Sequence, residues 1–74
     1  MKVWLKARFI RKKMIRRHLS QNDMAKMVGV SSGYMSQLMD GSRHPSPAVT
    51  QRIEAVFPDL GFDDLFIIKD GPRQ

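Results

Sequence analysis

Gly29 stands between two short segments with helical apolar patterns, and it restricts the fold more than any other residue. Upstream, Leu19, Met24, Met27 and Val28 are expected to face inward and Lys26 outward, in a helix that runs to about Val28. Downstream, Met35, Leu38 and Met39 recur at the three- and four-residue spacing of one buried face. Glycine reaches the positive φ of a sharp turn without steric cost, so the two helices are expected to meet at a tight corner. Ala25 is small enough to let them approach, with Val30 and Leu38 filling the angle. The boundaries carry their own signals. Ser20 is an N-cap with Asp23 three residues on, a capping-box-like pair. Ser31 caps the second helix, and Asp40-Gly41 ends it.

The flanks extend this pattern. From about Lys6, Ala7, Ile10 and Met14 form a helical stripe with Phe9 beside it, while Arg and Lys cover the other sides. His18 is expected to end that helix in or near the left-handed conformation. Ser46-Pro47 is an N-cap followed by proline at the first helical position. The helix it opens should carry Val49, Ile53, Val56 and Phe57 inward and stop before Pro58. A short helical turn is expected around Phe62 to Leu65, then a strand at Phe66 to Lys69. An isolated strand leaves its backbone groups unpaired, and Lys2 to Leu5 is the other extended candidate. The termini are therefore expected to pair as a small two-stranded ribbon, with Gly71 to Gln74 a frayed tail. The expected fold class is mainly α, in a single domain over residues 1–74.

With 74 residues the chain has room for one modest core, and the absence of cysteine excludes a disulfide framework or thiolate metal site. Net charge is +6, unevenly placed: residues 1–18 carry +8 and residues 19–74 carry −2. A basic end of this kind implies a polyanionic partner, either nucleic acid or an anionic membrane surface. Apolar runs reach at most four residues, too short for a bilayer span or signal-peptide core, so a cytoplasmic location is the expectation. His18 and His44 fall at loop positions with no ligand or nucleophile spacing around them. Asp59, Asp63 and Asp64 surround a helix start, where acids complement the dipole. No catalytic, metal or cofactor site is expected.

A two-helix corner projects its second helix outward, the geometry that enters the roughly 12 Å major groove of DNA. The stretch LSQNDMAKMVGVSSGYMSQLMDGSRHPSP resembles the helix-turn-helix of the Xre family, which includes the phage Cro and repressor proteins. The resemblance covers about residues 7–66 and is carried by Ser20-Gln21, Ala25, Gly29-Val30-Ser31, Gln37-Leu38, Gly41 and Pro45-Ser46. It implies a lambda-repressor-like fold of four to five helices, with the helix-turn-helix proper at about 20–40. It also implies sequence-specific binding of double-stranded DNA as a homodimer, generally to repress transcription. Position by position, Gln21 matches a phosphate contact. Ser32, Gly33 and Gln37 match base-reading positions, and Ser31, Tyr34, Arg43 and Lys26 match contacts to the DNA backbone.

One departure is specific. Where many members of the family bury an Arg–Glu pair between the first and third helices, this chain has Met14 and Met39. Both charges are gone together, so the two methionines are expected in contact as core. The first helical turn of the corner's second helix is also nearly bare. Gly33 costs a helix about 1 kcal/mol relative to alanine, which points to close approach of the backbone to DNA and a share of specificity from DNA shape. Two other readings use the same residues. An antitoxin-type or partner-binding module, with a toxin or protein antagonist as partner, would employ the C-terminal FIIKDGPRQ. Membrane binding through the basic first helix fits the charge but not the turn motif.

Overall fold

The local signals resolve into seven elements, and the computed structural model describes residues 2–69. In chain order these are β1 (Lys2–Leu5), α1 (Ala7–Arg16), α2 (Gln21–Val28), α3 (Ser32–Asp40), α4 (Pro47–Val56), α5 (Phe62–Leu65) and β2 (Phe66–Lys69). Each boundary has a visible cause. His18 takes φ 58, breaking the chain between α1 and α2. Ser20 and Asp23 form a reciprocal capping box: Asp23 N–H donates to Ser20 Oγ and Ser20 N–H to Asp23 Oδ2, each at 3.0 Å. Gly29 ends α2 at φ 83 and Gly41 ends α3 at φ 82. Asp64 Oδ2 accepts the N–H of Gly61 at 2.9 Å, the helix-start role expected of an acid at that position.

The ribbon expected between the termini is present. β1 and β2 pair antiparallel in the register Lys2↔Lys69, Val3↔Ile68, Trp4↔Ile67 and Leu5↔Phe66. Its inner end joins one core built from every element: Leu5, Ile10, Met24, Met35, Leu38, Ile53, Phe57, Leu65 and Phe66 are all almost fully buried. Met14 and Met39 belong to the same cluster. The tail expected at Gly71 to Gln74 lies outside the described residues.

One inward expectation needs correction. Met27 is 51% exposed, because the buried stripe of α2 is set by Met24, Ala25 and Val28, and Met27 falls on the side of that stripe away from Ala25. Val56, at the last residue of α4, is half-buried and packs against the core as expected.

Long-range polar ties close the α1 end against α4 and α5. Arg17 Nη1 donates to the carbonyl of Val56 at 2.7 Å, Nη2 meets Asp59 Oδ1 at 3.2 Å, and the guanidinium lies 4.7 Å from the centre of the Phe57 ring. A cation at the carboxyl end of α4 complements the partial negative charge of its unpaired carbonyls. Lys6 Nζ donates to the carbonyl of Asp63 at 2.6 Å. Two bases of the N-terminal cluster thus have partners within the fold.

The capping box also predicts a pH response. The N–H of Ser20, followed by its hydroxyl, holds the Asp23 carboxyl below its ordinary value of 3.8. A carboxylate with a depressed folded-state pKa contributes stability above the unfolded pKa and loses it as pH falls through the folded one. Asp23→Ala is therefore expected to lower the melting temperature most near neutral pH, with wild type and variant converging as pH drops below the usual carboxylate range. A gap that stays constant to strong acid would show that charge has no part in the cap.

Candidate nucleic-acid interface

α3 has two faces. Met35, Leu38 and Met39 are buried, and Ser32, Gly33, Ser36, Gln37 and Asp40 form an exposed stripe at one- and four-residue steps. The corner that presents it is closed by Ala25, whose carbonyl accepts the N–H groups of Gly29 at 2.8 Å and Val30 at 3.0 Å. Val30 packs partly buried against the core, as expected of a plug in the angle. Ser31 caps α3 by accepting Tyr34 N–H at 3.1 Å, so its hydroxyl proton remains available for an external acceptor.

Gly29 and Gly33 differ in why they are glycine. Gly29 has the left-handed φ of the turn. Gly33 is helical, and a Cβ added there would meet nothing within 4 Å. Nothing in the protein requires the bare position.

Three residues expected at the interface come together after Gly33. Arg43 Nε donates to Gln37 Oε1 at 2.6 Å, and its guanidinium lies 4.9 Å from the centre of the Tyr34 ring. Sequence reading gave Arg43 only a backbone contact, with no link to Gln37. The loop that carries Arg43 is held on both sides. The Gln37 carbonyl accepts from the N–H groups of Gly41, Ser42 and Arg43, the last two at 3.1 and 3.3 Å. Asp40 Oδ1 accepts Ser42 N–H at 2.8 Å, and Ser42's hydroxyl and N–H hold the Asp40 carboxyl below its ordinary pKa. Beyond Arg43, His44 meets the buried Trp4 ring edge-on at 5.6 Å, Pro45 is buried, and Ser46 caps α4.

Ser32 and Lys26 lie apart from that trio. They line a shallow cleft between α2 and α3 with Asn22, Ala25 and Val30. Gln21 is half-buried at the first position of α2, where its N–H and that of Asn22 have no intrahelical acceptor, a ready environment for an anion. Ser36 is the member of the outward stripe that the sequence reading passed over. The helical period counted from Ser32 points to it directly.

The rest of the surface supplies charge. Arg8, Arg11, Lys12 and Arg16 are exposed on α1. Among the described residues there is no group of three or more His, Cys, Asp or Glu able to hold a metal, and no helix long and apolar enough to cross a membrane. The assembled groups donate hydrogen bonds, stack and carry positive charge, which is chemistry for phosphates and base edges. A family model described as helix-turn-helix matches residues 10–65, well over half of the chain. No curated protein and no solved structure matches.

Proposed function

The chain belongs to the Xre/Cro-like helix-turn-helix family of DNA-binding regulators, a family of binding proteins rather than enzymes, and from that premise we propose that it is a transcriptional repressor. It binds an inverted-repeat operator as a homodimer, with α3 of each protomer in successive major grooves. Ser32, Gly33 and Gln37 face bases. Gln21, Lys26, Ser31, Tyr34 and Arg43 engage the sugar-phosphate backbone, and the free bases of α1 add long-range attraction. Such a protein works in the cytoplasm, on nucleoid DNA.

The observation that carries this reading is the outward stripe of α3, which is kept small at Ser32, Gly33 and Ser36 although the protein leaves open space at Gly33. Selection of bound duplex from a random pool, with the mass of the resulting complex, tests it. Two chains on a symmetric site are expected. Equal affinity for random duplex and the best selected site would leave only charge attraction and sink the operator.

Gly33→Ala separates fold from interface. It is expected to raise stability by about 0.5–1 kcal/mol and to weaken operator binding by about 1–3 kcal/mol, as a methyl group is forced into a close-packed contact. Unchanged or tighter binding would contradict close approach.

A further inference from the structure

Arginine carries only donors, so its contact with Gln37 settles which end of the amide is in use. At 2.6 Å from Arg43 Nε the acceptor is Oε1, and the amide NH₂ is left free. A glutamine with both ends free reads adenine, accepting from N6 and donating to N7 at once. In Gln37 the Arg43 Nε–H fills one of the two lone pairs of Oε1, and the positive charge beside it weakens the other as an acceptor. What remains fully open is the donating end, the two N–H groups of the Gln37 amide, while the Arg43 guanidinium rests over Tyr34 at 4.9 Å. Both partners are set in place, since Gln37 lies in the last turns of α3 and the Arg43 loop is anchored through Asp40 and His44.

An edge of donors is complementary to an edge of acceptors. In the major groove guanine offers two, N7 and O6. Adenine would leave its N6 amino group only the weakened second lone pair of Oε1, thymine offers one acceptor beside a methyl group, and cytosine offers a donor. We propose that Arg43 is a positioning residue that turns Gln37 from an adenine reader into a guanine reader, so that a G·C pair faces Gln37 in each half-site. This rests on the operator-binding reading above and specifies what that site recognises. Arg43 thereby contributes to sequence choice, beyond the uniform attraction of a phosphate contact.

Selection from a random pool with wild type, Gln37→Ala and Arg43→Ala tests it, after melting curves show that the variants fold. Wild type is expected to enrich one guanine per half-site that Gln37→Ala no longer enriches. Replacing that guanine by 7-deazaguanine, which lacks the N7 acceptor, is expected to weaken wild-type binding about tenfold, at the low end of the loss for a base contact. Arg43→Ala frees Oε1 and is expected to shift preference at the same position from guanine to adenine. Loss of a phosphate contact alone would weaken all sequences alike. A Gln37-dependent position that selects any other base, the absence of a Gln37-dependent position, or an Arg43→Ala variant that keeps guanine overturns the inference and leaves operator binding intact. No enriched sequence at all overturns the operator reading, and this inference with it.

Discussion

Met39→Glu alone is expected to destabilise the protein by about 3–5 kcal/mol, the cost of an unpartnered charge in an apolar interior. Met39 is 6% exposed and Met14 5%, in a core with no buried polar or charged residue among those described. A chain of this length has roughly 4–11 kcal/mol of total stability, so the single variant should lose a large fraction of it. Met14→Arg alone is expected to behave similarly. Combined, the two substitutions place opposite charges at the two positions, and the double variant is expected to recover at least about 1 kcal/mol relative to the sum of the singles. Urea titration of the four proteins measures that coupling. A double variant no better than the sum would mean that the two side chains do not face each other, and the methionines would then be separate core fillers.

Phe57→Ala should be nearly as damaging, at about 3–5 kcal/mol. Its ring is fully buried between α4 and the rest of the core, and it is also the surface over which Arg17 lies. Arg17→Ala removes only the covering cation and its bonds to Val56 and Asp59, and is expected to cost about 0.5–1 kcal/mol, as for a cation–π contact at an exposed site. Denaturation midpoints of the two variants compare ring with cation. If Arg17→Ala proved as costly as Phe57→Ala, the tie to α4 would outweigh the packing beneath it.

These cases show where sequence is informative. The capping box at Ser20 and Asp23, the left-handed Gly29, the Ser46-Pro47 start and the ribbon at the termini follow from rules acting over a few residues, or from the need of one strand for another. Met27 stands three residues from Met24, and that spacing does not say which side of a short helix lies beneath its neighbours. The outward stripe of α3 was readable from the corner motif, yet the connections of its residues were not. Arg43 looked like a free cation, and the bonds from Arg17 and Lys6 reach residues 39 to 57 positions away. A long basic side chain finds its acceptor only after the backbone has brought the two together.

The ribbon has a mechanical consequence. Its outermost rung among the described residues is Lys2–Lys69, two like charges side by side, and its other end, Leu5–Phe66, is locked in the core. Traction that parts Lys2 from Lys69 therefore loads the rungs one after another, as a zipper, instead of shearing them together. The weakest rung opens first and the buried one resists. Tension applied across the two strands would be spent in the ribbon before any of it reached the corner between α2 and α3.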